Sequence, residues 1–124
     1  MVGYLREVDL GLSFQPFAAF REHFGFIPSL FRAQTLLPRV IEAEAALAFA
    51  VLLKEQALSR VQKERMLLTL AAAHRNVYCV TAHHQMLRLL GVPDQQLDRM
   101  ITDYRNADLS PVDAALLGFA LKHW

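Results

Sequence analysis

The sequence predicts an all-α fold of six or seven helices. Apolar residues recur at spacings of three and four along nearly the whole chain, as on one face of a helix. Cap and stop residues bound each such stretch. No stretch alternates apolar and polar residues as a half-buried strand would.

The elements follow in order. In "QPFAAFREHF" the residues Phe17, Phe20 and Phe24 form a one-faced stripe, with Gly25 as its C-cap. Pro28 in "GFIPSLF" prevents that helix from running on, and Ser29 is expected to cap a short helix, "LFRAQTLL", that stops before Pro38. Pro38 suits the first turn of the next helix, which carries Val40, Ile41, Ala45, Leu47 and Phe49 to about Gln56. Ser59 with Gln62 three residues later reads as a capping box. The helix it opens, "RVQKERMLLTLAAAHR", is nearly all apolar after Arg65 and is expected to be buried on most sides. Asn76 is a good N-cap for a helix from Val77 to Leu90, with Gly91 at C′ and Pro93 just beyond. Asp94 is expected to cap "QQLDRMITDYR". In "LSPVDAALLGFALKHW" Ser110 is the N-cap, Pro111 the first helical residue and Asp113 the reciprocal acid. That helix is still in pattern at "LKHW", as expected of a shortened chain or of a helix that docks on a partner.

The totals narrow the classes. A chain of 124 residues is expected to form one domain, residues 1–124. Apolar residues make up 54% of it and charged residues 20%, more apolar surface than a small domain easily hides, so a homo-oligomer is expected. The longest apolar run, "AALAFAVLL", is nine residues, where a bilayer span needs about 20. The N-terminal "MVGYLREVDL" has no signal-peptide pattern. A net charge of +1 without a basic block argues against nucleic acid as a partner. One cysteine cannot form an internal disulfide, and a cytoplasmic home fits it.

The chemistry gathers in "HRNVYCVTAHH". With Asn76 as N-cap, Cys79 falls at N3, where free backbone N–H groups and the helix dipole favour a thiolate. His83 is one turn further along the same face. A free cysteine is usually a small buried hydrophobe; the cap and the histidine one turn on are what point to a reactive thiol. Glu64 shares a face with Leu68, Ala71 and Arg75, so it is expected to point partly inward, suited to relaying protons. His74 and Tyr78 border this site, Tyr78 as a hydrogen-bonding residue or a surface anchor. His74, Cys79, His83 and Glu64 are donors that suit zinc, but their spacing matches no standard zinc pattern, so no metal is expected. Phe14, Phe17, Phe20, Phe24, Phe26 and Phe31 are expected to be core rather than a cofactor box, and with no phosphate-cradling glycine loop or serine elbow no cofactor is expected.

Over nearly its whole length the chain resembles a known family. "KERMLLTLAAAHRNVYCVTAHHQMLRLLGV" is similar to the signature of the carboxymuconolactone decarboxylase and AhpD-like alkylhydroperoxidase superfamily. "FREHFGFIPSLFRAQTLLPRVIEA" and "TDYRNADLSPVDAALLGFALK" resemble its peroxidase-related branch. The resemblance implies an AhpD-like helical bundle, and relatives that extend further at the C-terminus. The family pattern is a glutamate, eleven residues, a Cys-x-x-Cys pair, three residues and a histidine; Glu64, Cys79 and His83 fall in register with it. Asn76 replaces the first cysteine, and Tyr78 stands where AhpD has an additional histidine. By resemblance, Cys79 attacks a peroxide while His83 and Glu64 relay protons. The missing first cysteine would have resolved the sulfenic acid, so an external thiol reductant is implied.

Three functions are consistent with these residues. One is reduction of an organic hydroperoxide by Cys79. Another is handling of a small organic acid by a carboxymuconolactone-decarboxylase-like enzyme, with His74, Arg75 and His83 meeting the carboxylates. The third is a non-catalytic oligomeric member of the family.

Overall fold

Seven α-helices and two short irregular helical turns account for the regular structure of residues 5–124, the part described by this computed structural model, with no strand among the described residues. The first four residues of "MVGYLREVDL" lie outside them. None of the described helices is long and apolar enough to cross a membrane. The chain divides into two compact units, one ending at Leu53 and the other running from Lys54 to Trp124.

The first unit contains α1 (Gln15–Phe24), α2 (Ser29–Arg32), α3 (Pro38–Ala48) and a π-helical turn, Phe49–Leu53. Its centre is aromatic. Phe20 is wholly buried, with the rings of Phe31, Phe24 and Phe49 stacked on it at 4.2, 5.9 and 6.0 Å between centroids. Ile41 and Ala45 on α3 close the cluster. Gly25 ends α1 at φ 80°, and its N–H returns to Arg21 O at 2.9 Å.

Three expectations for this unit are corrected. Phe26, expected in the core, is 46% exposed. The helix at Ser29 spans four residues and is preceded by Pro28 without a side-chain cap. Beyond Arg32, the Thr35 hydroxyl donates to the Arg32 carbonyl at 3.0 Å and accepts from Val8 N–H at 2.7 Å, a side-chain bond that competes with helix propagation. The next helix does not run to Gln56. It widens into the π turn at Phe49 and ends at Leu53, with Leu47 left exposed.

The second unit contains α4 (Arg60–Ala73), α5 (Val77–Leu89), α6 (Asp94–Asp103), a 3₁₀ turn (Tyr104–Asn106) and α7 (Pro111–Lys122). Leu68, Leu87, Leu97, Met100 and Leu117 form its core, all nearly or fully buried. The capping box at Ser59 and Gln62 is present in both directions. The α4 helix buries one face rather than most of its surface: Glu64, Leu68, Thr69 and Ala71 are inside, while Met66, Leu67, Leu70 and Ala72 are only partly covered.

Between α4 and α5 the chain turns in three residues. Asn76 N–H bonds Ala71 O at 2.9 Å and Arg75 N–H bonds Ala72 O at 3.1 Å. This is the paired pattern of a Schellman motif, with Arg75 in the left-handed region at φ 56°. Arg75 therefore lies outside the α4 face it was expected to share with Glu64. Gly91 plays the same part after α5, at φ 89°, with Val92 N–H bonded to Leu87 O at 3.0 Å. Both Val92 and Leu87 are buried, the apolar contact that accompanies this motif.

Two capping expectations are also corrected. Pro93, not Asp94, precedes α6 as its N-cap; Asp94 is the first helical residue, 3.4 Å from Arg88 Nε. Ser110 caps α7 by accepting from Asp113 N–H at 3.1 Å, but the Asp113 carboxylate is engaged elsewhere. It accepts from Gln62 Nε2 at 2.9 Å and Arg65 Nη1 at 2.8 Å. Arg65 Nη2 continues to Gln96 Oε1 at 3.0 Å, and Gln96 Nε2 to Asp108 O at 3.0 Å. This clamp ties α4, α6 and α7 together outside the apolar core.

Asp113→Ala is expected to destabilise the protein by about 2 kcal/mol in urea denaturation, less than for a fully buried ion pair, since the two side chains keep 16% and 17% exposure. Arg75→Gly is expected to stabilise it by about 1 kcal/mol in the same assay, because glycine relieves the left-handed backbone. A destabilising Arg75→Gly would show that the Arg75 side chain outweighs the backbone strain.

Candidate active site

The site is built at two helix starts. The capping box fixes the first turn of α4 and so sets where Glu64 emerges, on the turn after Arg60. Asn76 fixes the first turn of α5, where its Oδ1 accepts from Cys79 N–H at 3.1 Å. Cys79 is thus at N3, as its spacing predicts, and is half-buried. Because the turn between the helices is so short, the glutamate of α4 and the histidine of α5 are brought back to back.

Glu64 is completely buried, and its Oε2 lies 2.7 Å from Nδ1 of His83, whose side chain is 20% exposed. A carboxylate at that distance accepts a proton from the ring, so Nδ1 carries the hydrogen. When the ring is neutral, Nε2 is then the nitrogen with the lone pair. That is the arrangement of an oriented base: a buried acid fixes the tautomer, and the opposite nitrogen is left to act. Cys79 precedes His83 by one turn of the same helix, so both side chains lie on one face of α5. Among the described residues the sulfur has no hydrogen-bond partner.

Oε1 of Glu64 faces Arg60, whose Nε is 3.9 Å away, and has no hydrogen bond. The Arg60 guanidinium also reaches Met86 on α5, Nη2 to Sδ at 3.7 Å. The motif does not single out Arg60; its i,i+4 spacing to Glu64 is the sequence signal that would have brought it in.

The remaining predicted residues are placed as follows. Asn76 is a cap for the Cys79 amide. Tyr78 is half-exposed at N2. His74 ends α4 and packs against Trp124, with 3.7 Å between ring centroids. Among the described residues no three His, Cys, Asp or Glu side chains are grouped to hold a metal ion. A groove of about 300 Å³ in the same unit, lined by Thr69, Tyr104 and Leu121 among others, includes none of Glu64, Cys79 and His83.

With that geometry in place, comparison with known proteins is decisive for the lineage. The model of the carboxymuconolactone decarboxylase family matches residues 38–121. The chain belongs to that family. Its fold is the AhpD-like helical fold: a crystal structure of an alkylhydroperoxidase AhpD core, an uncharacterized peroxidase-related protein from Ralstonia eutropha JMP134, superposes with a TM-score of 0.80 at 30% sequence identity. The match covers 91% of this chain and 60% of that one, so this chain spans about three fifths of its structural relative. No curated protein gives a significant match.

Asn76→Ala is expected to cost about 1 kcal/mol of stability and Asn76→Gly only a few tenths, as for other N-caps. Chemical denaturation of the two variants checks this; equal losses would mean that the cap bond to Cys79 N–H contributes nothing.

Proposed function

We propose that this chain is a peroxidase-type member of its family that reduces organic hydroperoxides at Cys79, with His83 as the base and Glu64 behind it as the proton relay. The observation that carries this reading is the 2.7 Å bond from a fully buried Glu64 to His83, one helical turn from the chain's single cysteine. Burying a carboxylate is costly unless it is paired, and here the pairing orients an imidazole towards the cysteine's face of the helix.

The chemistry balances with one thiol and an outside reductant. His83 Nε2 takes the Cys79 proton, and the thiolate attacks the terminal oxygen of the hydroperoxide. The O–O bond breaks as the S–O bond forms, and the departing alkoxide receives the proton from His83. The products are a sulfenic acid on Cys79 and an alcohol. One molecule of an external thiol then forms a mixed disulfide with loss of water, and a second restores Cys79 by exchange. The reducing, cytoplasmic setting expected for a lone thiol suits this cycle.

A small organic acid as substrate is the weaker reading. It asks His74 and His83 to share a ligand, and His74 is engaged with Trp124. We further propose a homo-oligomer, because Val112 and Phe119, two turns apart on α7, are 70% and 60% exposed. Large exposed apolar residues on one face of a helix favour an interface.

Treatment with cumene hydroperoxide is expected to put a dimedone-reactive sulfenic acid on Cys79. Cys79→Ser should abolish peroxide consumption, and His83→Ala should slow it by about 100-fold or more. If peroxide leaves Cys79 unmodified, the reading fails and the non-catalytic alternative takes its place. Asn76→Cys is expected to convert the sulfenic acid into an internal disulfide, read as loss of the dimedone adduct and of free thiol. In sedimentation, Val112→Asp with Phe119→Asp should shift the protein towards monomer; an unchanged sedimentation coefficient would exclude α7 as the interface.

A further inference from the structure

We propose that the groove lined by α4, α6 and α7 binds a small uncharged alcohol or phenol, whose hydroxyl pairs with Thr69 while its carbon body lies on apolar walls. The groove includes none of Glu64, Cys79 and His83, and its use does not depend on peroxide chemistry. It offers about 300 Å³, the lower end of the range for small-molecule sites. Its most buried lining residues are Thr69, 4% exposed, and Met100, 2% exposed. Ala72, Ile101, Tyr104 and Leu121, all partly covered, form the sides. Gly118 lets the tyrosine lie close on α7: a Cβ there would stand 3.3 Å from the Tyr104 hydroxyl oxygen.

The Thr69 hydroxyl sets the polar end of the ligand. Its Oγ1 is shielded from solvent and has no hydrogen-bond partner among the described residues, and a buried hydroxyl left so is costly. Threonine on a helix divides between two χ1 rotamers, so this hydroxyl can turn towards a guest without giving up an existing bond. A guest hydroxyl answers it as donor or as acceptor, a carbonyl only as acceptor. A water molecule would answer it too, but would leave the methyl and ring surfaces of the groove wet, whereas a carbon skeleton covers them. The rim sets the charge of the ligand, because its polar groups are already engaged. Thr102 Oγ1 donates to the carbonyls of Asp98 and Arg99, each at 3.1 Å. Asp103 accepts from Arg105 N–H at 3.1 Å and from Asn106 Nδ2 at 2.9 Å. Arg105, the cation among the described lining residues, has a side chain 74% exposed, 3.8 Å from Asp103 Oδ1 and 5.2 Å from the Tyr104 ring centroid. A carboxylate at Thr69 would therefore lose its hydration without a counter-charge. An uncharged guest has no such cost.

The test titrates the methyl-labelled full chain with phenol and with toluene, its hydroxyl-free match, and follows the methyl resonances of Met100, Ile101 and Leu121. Phenol is expected to shift these resonances saturably, with a dissociation constant of about 1 mM. Thr69→Val, which keeps the side-chain shape, is expected to weaken phenol about fivefold, the worth of one net hydrogen bond, and to leave toluene no weaker. The same variant without ligand is expected to melt at a higher temperature, because no unpartnered hydroxyl is left buried. Ala72→Phe, which fills the groove, is expected to abolish the shifts for both probes in a protein shown to be folded by circular dichroism. Three resonances that phenol leaves unmoved overturn the proposal. So does Thr69→Val binding phenol as tightly as the wild type or losing toluene equally, or a folded Ala72→Phe that still binds. A lower melting temperature for Thr69→Val overturns it as well, since the hydroxyl would then be bonded in the free protein, to the carbonyl one turn back at Arg65.

Discussion

The burial of the Glu64 carboxylate is the constraint around which the second unit is organised. An ionisable group with no exposure must have its partners brought to it, and those partners are assembled by two helix starts and one three-residue turn. The capping box orients the first turn of α4, and the Schellman motif returns the chain with Arg75 in a left-handed conformation. Asn76 then begins α5 in the register that delivers His83 to Glu64. Each device is local. Their combination produces a contact across nineteen residues of sequence.

Neighbouring residues on α4 divide the work. Glu64 faces α5 and the imidazole, whereas Arg65 faces away to Asp113 and Gln96. The clamp built on Arg65 holds α4 against α6 and α7 with hydrogen bonds that do not touch the Glu64–His83 pair. Rigidity and chemistry thus use separate polar groups, although those groups are adjacent in the chain. A site that depends on a 2.7 Å contact benefits from having its supporting helix fixed by a different set of atoms.

How much of this was legible in the sequence depends on the range of the interaction. The caps at Ser59, Asn76 and Ser110 and the stops at Gly25 and Gly91 were readable, because a cap is decided by residues three or four apart. The inward turn of Glu64 was readable from its apolar face-mates, and the placement of Cys79 at N3 from the position of Asn76. The reach of Arg65 to Asp113 was hidden, since the two are 48 residues apart and neither is unusual in its own surroundings. Asp113 in particular had a satisfactory local reading as a reciprocal cap, which tertiary contact displaced. The π turn at Phe49–Leu53 was hidden as well: an apolar run gives no sign of a change in helical pitch. The proposed role in peroxide chemistry came from resemblance to the family, whose pattern Glu64, Cys79 and His83 match, and not from periodicity or composition.

The Asn76 cap also bears on how such a site can diverge. A cysteine at this position can close a redox cycle but accepts hydrogen bonds poorly, whereas asparagine secures the Cys79 amide and has no redox chemistry. The two duties compete for one side chain. With the helix start resting on the carboxamide, replacement of Asn76 by cysteine gives up part of that stability. The bond from Cys79 N–H to Asn76 thus sets a stability cost against a thiol at this position.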